Sequence, residues 1–158
     1  MTIKKNKIVI FTDLDGSILH RDTFKFDQIK DYIKKLINSG IHIIPNSSKT
    51  ESEIIEFNQD LGENLAYISE NGSVINNLNL LNSNFPNKII LSREKEELVE
   101  IFKNNVPENL QSKCKFISNL NKKDQINIFG LSETKLKNAL NRKYTCLLYT
   151  SDAADEWI

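Results

Sequence analysis

The feature that most constrains the fold of this chain is the alternation of short apolar runs with longer amphipathic segments in its N-terminal part. Apolar runs of this length predict buried strands, whereas apolar side chains at helical spacing predict helices. The predicted strands are residues 7–12, 41–44 and 65–69, and the predicted helices are residues 27–39 and 50–61. Strands that alternate with helices through short connections form a parallel sheet covered by helices, so the sequence predicts an α/β fold with a Rossmann-like parallel sheet.

Two carboxylates follow the first predicted strand. Asp13 and Asp15 stand one residue apart, and Gly16 permits a turn that returns the second carboxylate over the first. A carboxylate such as Asp13 can attack phosphorus and form an acyl phosphate, which divides a very slow hydrolysis into two easier steps. Asp15 is then placed to protonate the leaving oxygen and later to take a proton from water. The alternative interpretation is a strand end with an Asx turn and a helix cap.

The same pair of carboxylates predicts a cation site. Asp13 would repel a phosphate, so a divalent cation has to lie between them. Mg²⁺ suits this position because it takes oxygen ligands and binds through one or two carboxylates together with the phosphate. We therefore expect Mg²⁺ as cofactor, with Asp13 and Asp15 as its protein ligands.

Polar residues also follow the second and third predicted strands, and ligands of parallel sheets collect at these carboxyl ends. Ser47 offers a hydroxyl and Lys49 a positive charge to a phosphate. Capping of the next helix is the alternative interpretation for Ser47, but Thr50 with Glu53 already forms a capping box. The run Glu70-Asn71-Gly72 after the third strand is by itself a turn. His20, in a polar loop beside this site, is more often a bystander than a ligand.

Three motifs agree in order and spacing with a known family: TDLDGS at residues 12–17, SSKT at residues 47–50 and ENG at residues 70–72. Together they resemble the haloacid dehalogenase superfamily, in its mannosyl-3-phosphoglycerate phosphatase branch with a type C2B cap. The resemblance implies Asp13 as nucleophile, Asp15 as acid and base with a main-chain metal contact, and substrate binding by Ser47, Lys49 and Asn71. It also implies Mg²⁺-dependent removal of phosphate from a small phosphorylated sugar-glycerate.

The resemblance also sets the expected domain organisation. Residues 1–83 are expected to form the N-terminal part of the dehalogenase-like core, and residues 84–145 an incomplete α+β cap. Residues 146–158 do not resemble the family and are expected to be a non-native tail. Because the family's later lysine and final acidic motif have no counterpart here, we expect this chain to be inactive or very weak.

Composition narrows the function classes. The chain has zero formal net charge and no basic cluster that favours nucleic acid, and no apolar run reaches the length of a membrane span. We therefore expect a cytoplasmic protein, and no protein partner is evident. The open alternatives are a glucosyl-3-phosphoglycerate or sucrose-phosphate phosphatase of the same superfamily, a non-catalytic domain that keeps this fold for binding, and a response-regulator-like receiver.

Overall fold

The computed structural model describes residues 8–150, which fall into two compact units with the boundary between Leu91 and Ser92. In the first unit, strand β1 (Val9–Thr12) pairs in parallel with strand β2 (His42–Pro45), in register from Val9 opposite His42 to Thr12 opposite Pro45. Helix α1 (Asp27–Asn38) connects the two strands. Helix α2 (Glu51–Leu61) leads from β2 to strand β3 (Tyr67–Ser69), which joins β2 through a parallel bridge between Asn46 and Ile68. The predicted α/β order with a parallel sheet is confirmed.

Two further strands extend the sheet in the antiparallel sense. Strand β4 (Val74–Asn76) lies between β3 and strand β5 (Lys88–Ile90) and pairs with both. The sequence also predicts a hairpin of residues 73–75 and 78–81 around Asn76-Asn77, because Asn tolerates the positive dihedral angles of a tight turn, but this prediction is wrong. Asn77 does adopt a left-handed φ of 56°, but Leu78–Leu80 then forms a 3₁₀ turn rather than a strand. Because β5 pairs with β4, it lies in the first unit, and the boundary after Leu91 therefore falls later than the one expected after residue 83.

The core of the first unit lies between the sheet and the two helices. Its buried side chains are Leu14, Leu19, Ile33, Ile43, Ile54, Phe57, Leu61, Leu65 and Tyr67. Strand β1 contributes none of them, and the prediction that it is buried is wrong: Val9 is 42% and Phe11 61% exposed. The physical reason is that, among the described residues, β1 has β2 as its one neighbouring strand.

The second unit is helical with one small sheet. Its helices are α3 (Lys95–Asn105), α4 (Glu108–Gln111), α5 (Lys122–Phe129) and α6 (Glu133–Leu140). Strand β6 (Cys114–Phe116) pairs antiparallel with strand β7 (Leu148–Thr150). The sequence predicts α3, α5, α6 and a strand at residues 115–117, but it does not predict α4 or β7.

Strand β7 falls within the range expected to be a non-native tail. Its three residues pair with β6, and residues 151–158 of that range lie outside the described part of the chain. Within residues 8–150, no helix has the length and apolar character needed to cross a bilayer.

Candidate active site

A tight loop directly after β1 presents the two sequence-predicted carboxylates. Leu14 between them is fully buried, so the neighbouring Asp13 and Asp15 both lie at the surface. The carbonyl of Leu14 accepts hydrogen bonds from the N–H groups of Ile18 (3.1 Å) and Leu19 (2.8 Å). Gly16 makes this turn possible with a φ of 76°, a left-handed conformation that L side chains disfavour. The loop is therefore anchored through its apolar residue and exposes its acidic ones.

Asp13 forms hydrogen bonds with the two residues adjacent to it in the chain. One of its oxygens, Oδ1, accepts a hydrogen bond from the N–H of Leu14 at 2.7 Å. The carbonyl oxygen of Asp13 accepts from the hydroxyl of Thr12 at 2.9 Å. The first of these bonds restrains the Asp13 carboxylate through one oxygen, Oδ1.

Lys49 brings a positive charge to Asp15 from the loop after β2. Its Nζ lies 3.0 Å from Oδ1 of Asp15 and 3.6 Å from Oε1 of Glu53, and the ring centroid of Phe24 is 5.2 Å away. The side chain of Lys49 is 14% exposed, so this ammonium group is largely withdrawn from solvent. The structure thus brings Asp15 and Lys49 together, although they are far apart in the sequence.

The capping box of α2 determines where Glu53 points. The hydroxyl of Thr50 accepts from the N–H of Glu53 (3.3 Å), and Oε2 of Glu53 accepts from the N–H of Thr50 (2.9 Å). The predicted capping box is confirmed. Because one oxygen of Glu53 is fixed by the cap, the other faces Lys49. A helix-capping residue thereby becomes part of the charge cluster, a second role that the cap signature does not reveal.

Ser47 is buried, with 4% of its surface exposed. Its hydroxyl accepts from the N–H of Lys49 at 3.3 Å, and its own N–H donates to the carbonyl of Ile68 at 3.1 Å. A hydroxyl can donate while it accepts, so this arrangement keeps the Oγ proton for a ligand oxygen. Since Thr50 caps α2, the expectation that Ser47 is not needed as its cap is confirmed.

The turn after β3 fixes the loop that carries Ser47 and Lys49. Glu70, Asn71 and Gly72 have successive left-handed φ angles of 50°, 59° and 89°. The N–H of Glu70 donates to the carbonyl of Lys49 (2.8 Å), and the N–H of Asn71 donates to the carbonyl of Ser47 (3.2 Å). Asn71 thus contacts the candidate site through its backbone, while its side chain is exposed. The buried Glu70 is a residue that sequence reasoning did not single out.

An open cleft of about 880 Å³ lies beside Asp15, between the loop after β1 and the start of α1. His20 borders this cleft, but its Nδ1 accepts from the N–H groups of Asp22 (3.2 Å) and Thr23 (3.4 Å). These contacts give His20 a role in shaping the loop. Asp13, Ser47 and Lys49 do not border the cleft.

The donor set after β1 fits a hard divalent cation. Two exposed carboxylates one residue apart supply oxygen ligands, and Mg²⁺ is commonly held by one or two carboxylates with water and phosphate in its other positions. Asp13 has its Oδ2 to offer, whereas Oδ1 of Asp15 is already paired with Lys49. Within residues 8–150, no group of three or more His, Cys, Asp or Glu side chains is placed to hold a metal.

Comparison with known proteins gives one family and two similar relatives. Residues 10–145 match the family described as haloacid dehalogenase-like hydrolase. A glucosyl-3-phosphoglycerate/mannosyl-3-phosphoglycerate phosphatase of Persephonella marina is 32% identical over 68 residues, which is 43% of this chain and 25% of the relative. The protein of the same name from Methanococcoides burtonii is 36% identical over 69 residues, 44% of this chain and 25% of the relative. The chain thus spans about a quarter of the length of the curated relatives that it matches.

Among solved structures, a haloacid dehalogenase-like hydrolase from B. subtilis is similar with a TM-score of 0.48 and 18% identity, over 60% of this chain and 32% of that one. A haloacid dehalogenase-like hydrolase from Bacteroides thetaiotaomicron gives the same TM-score and identity, over 62% of this chain and 36% of that one.

Proposed function

The chain belongs to the haloacid dehalogenase-like hydrolase family, and from that premise we propose that it carries the nucleophilic carboxylate of a Mg²⁺-dependent phosphatase. Asp13 is the nucleophile, Asp15 is the proton donor and acceptor, and Ser47, Lys49 and Asn71 bind the phosphate or the substrate. The observation that carries the proposal is the ion pair of 3.0 Å between Lys49 and Asp15. It supports a compact site in which polar residues from two neighbouring strand ends act on one phosphate.

The proposed reaction has two steps. Asp13 attacks phosphorus, the bond from phosphorus to the ester oxygen breaks, and the leaving oxygen takes a proton from Asp15. Water then attacks the phosphoryl group on Asp13 while the Asp15 carboxylate accepts its proton, which releases inorganic phosphate and restores the Asp13 carboxylate and the protonated Asp15. Mg²⁺ held by Asp13 and Asp15 would reduce the repulsion between the attacking carboxylate and the phosphate.

Lys49 and Ser47 would stabilise the negative charge of the phosphate. The Lys49 ammonium lies 3.0 Å from Asp15, so a phosphate bound beside Asp15 would also lie near this positive charge. Ser47 is fixed by two backbone contacts, so its hydroxyl needs little reorganisation to donate to the same group. Both contributions are electrostatic and depend on the rigid backbone between β2 and β3.

We propose a glycosylated 3-phosphoglycerate as the substrate class. The names of the two curated relatives support this choice, as does the SSKT motif at residues 47–50. The mannosyl compound, which would yield mannosylglycerate, is the first candidate and the glucosyl compound the second. Since such a substrate is a small phosphorylated metabolite, we place the reaction in the cytoplasm. We expect the 158-residue chain to turn over weakly or not at all, because its described residues supply only the two carboxylates of the predicted metal site.

The test is to look for the covalent intermediate. The chain is mixed with mannosyl-3-phosphoglycerate, glucosyl-3-phosphoglycerate or sucrose phosphate and with Mg²⁺, then quenched in acid and mapped by mass spectrometry. We expect a phosphoryl group on the peptide that contains Asp13, most abundant with a glycosylated phosphoglycerate and absent with a chelator. Measurable phosphate release that is equally fast in the wild type and the Asp13→Asn variant would overturn the proposal, as would the absence of an adduct with every substrate.

A further inference from the structure

Phe24 has a backbone conformation that its side chain does not favour. Its φ is 55°, in the left-handed region where bulky residues are genuine outliers. The loop around it is closed by two hydrogen bonds, from the N–H of Phe24 to the carbonyl of His20 (2.8 Å) and from the N–H of His20 to the carbonyl of Lys25 (2.9 Å). Strained residues of this kind persist where the surrounding structure determines them, and they are concentrated at functional sites.

The ring of Phe24 lies against the charge cluster described above. The Nζ of Lys49 is 5.2 Å from the ring centroid, within the distance at which an ammonium group is attracted to the face of an aromatic ring. The same Nζ contacts Asp15 and Glu53. Lys49 therefore has an anionic group on two sides and the ring on a third.

We propose that Phe24 is a positioning residue that holds the ammonium group of Lys49 beside Asp15. This inference rests on the proposed function for its purpose, but the contact itself is independent of it. Phe24 touches neither phosphorus nor a metal ligand in this account, and it acts through Lys49.

The need for such a residue follows from the chemistry of Lys49. Its side chain has a flexible four-carbon stem and a strongly hydrated head, so an ammonium group with few fixed partners turns toward water. The ring of Phe24, with its centroid 5.2 Å from Nζ, and the carboxylate of Glu53, 3.6 Å from Nζ, would hold Lys49 in place beside Asp15.

The opposing interpretation is that Phe24 only packs against the stem of Lys49 and stabilises the loop. The two interpretations differ in what they predict for the position of Lys49 when Phe24 is replaced. If Phe24 is merely structural, a variant that relieves the backbone strain leaves Lys49 where it is. If Phe24 is a positioning residue, removal of the ring releases Lys49 whether or not the strain is relieved.

Three substitutions separate the ring from the strain. Phe24→Gly removes both, Phe24→Leu removes the ring but keeps a bulky residue at positive φ, and Phe24→Tyr keeps both. The position of Lys49 is measured as its rate of acetylation by an amine-selective reagent, read by mass spectrometry. Lys88 is the internal reference, because it lies in the same unit, is paired with Glu51 at 3.2 Å and is far along the chain from residue 24.

We expect Lys49 to be acetylated about fivefold faster in the Gly and Leu variants than in the wild type, and at the wild-type rate in the Tyr variant. Lys88 should react equally in all four proteins. We expect thermal unfolding to show that the Gly variant is more stable than the Leu variant. Because the two variants would then differ in stability, general loosening of the fold could not explain why Lys49 is acetylated faster in both. Unchanged acetylation of Lys49 in both ring-less variants would overturn the inference.

A second readout separates this inference from the proposed function. Beryllofluoride with Mg²⁺ mimics a phosphoryl group on a carboxylate, and we expect about fivefold weaker binding in the Gly and Leu variants than in the wild type. If the wild type binds it in an Asp13-dependent way and both ring-less variants bind equally well, the positioning role fails while the proposed function stands. If the wild type does not bind it but acetylation of Lys49 responds to the ring, the proposed function fails while the contact stands.

Discussion

A single buried leucine orients the two acidic side chains of the candidate site. Leu14 is fully buried, and the carboxylates on either side of it are exposed. Asp13 and Asp15 could be identified from the sequence because two charged residues after an apolar strand are rarely buried in a core. The closeness of Asp15 to Lys49 could also be anticipated, since neighbouring parallel strands end at the same edge of a sheet.

Other residues of the site had no detectable signal in the sequence. The conformation of Phe24 depends on hydrogen bonds with His20 and Lys25 in a polar loop without periodicity. Conformational preferences give no reason to expect a bulky residue at positive φ. The backbone strain of this conformation is tolerated only where the surrounding tertiary structure imposes it. Glu70 belongs to the ENG motif, but its burial could not be predicted, since it follows from the turn that Glu70 occupies.

At the residue scale, Tyr67 leads to a prediction about pH. Burial, and secondarily the negative charge of Glu51, raises the pKa of Tyr67 from its ordinary 10 to about 12. A pKa raised on folding stabilises the protein below pH 10 and loses this contribution as pH rises through about 12. We expect the free energy of unfolding to fall more steeply between about pH 10 and 12 in the wild type than in Tyr67→Phe, measured by urea unfolding. Parallel pH profiles of the two proteins would show that Tyr67 does not have this role.

At the scale of elements, the positions of helices were predicted more accurately than the burial and pairing of strands. The start of α2 was located because a Thr50–Glu53 capping box is a local signal. The burial of β1 was predicted wrongly because burial depends on which strands and helices lie beside it. The partner of β4 was likewise assigned wrongly. The sequence favoured the apolar residues 78–81, but β4 pairs with β3 and β5, and local pattern alone does not choose between apolar partners.

The cap of α2 supplies a prediction at this scale. Thr50→Ala removes the hydroxyl that accepts from the N–H of Glu53, and we expect it to lower the free energy of unfolding by about 1 kcal/mol. Ser132→Ala is the matched control, because Ser132 precedes α6 without a side-chain capping bond and should cost less. Both are measured by urea unfolding followed by circular dichroism. Equal losses in the two variants would contradict the assignment of the cap.

For the whole molecule, the feature with the clearest physical consequence is the exposed strand β1. Ile8, Val9, Ile10 and Phe11 are all at least 37% exposed, and these apolar residues form one continuous stretch. An exposed apolar strand with an unpaired edge tends to pair with another chain. The sequence predicted the strand and its place beside β2, but the number of neighbouring strands is a property of the whole assembled sheet.

We therefore expect the chain to self-associate as its concentration rises. Phe11→Lys places a charge on the most exposed residue of β1 and should shift the population toward monomer, measured by sedimentation velocity. Leu80→Lys, at an apolar residue that is 46% exposed outside the strand, is the control and should leave the association unchanged. Equal effects of the two substitutions would show that β1 does not direct the association.

The central claim is that Asp13 receives the phosphoryl group with the help of a divalent cation. The most direct measurement is calorimetric titration of the chain with beryllofluoride in Mg²⁺, repeated for Asp13→Asn and with a chelator in excess. The account predicts one site that is lost both with the substitution and with the chelator. Binding of equal strength in Asp13→Asn, or binding that persists in the chelator, would contradict it.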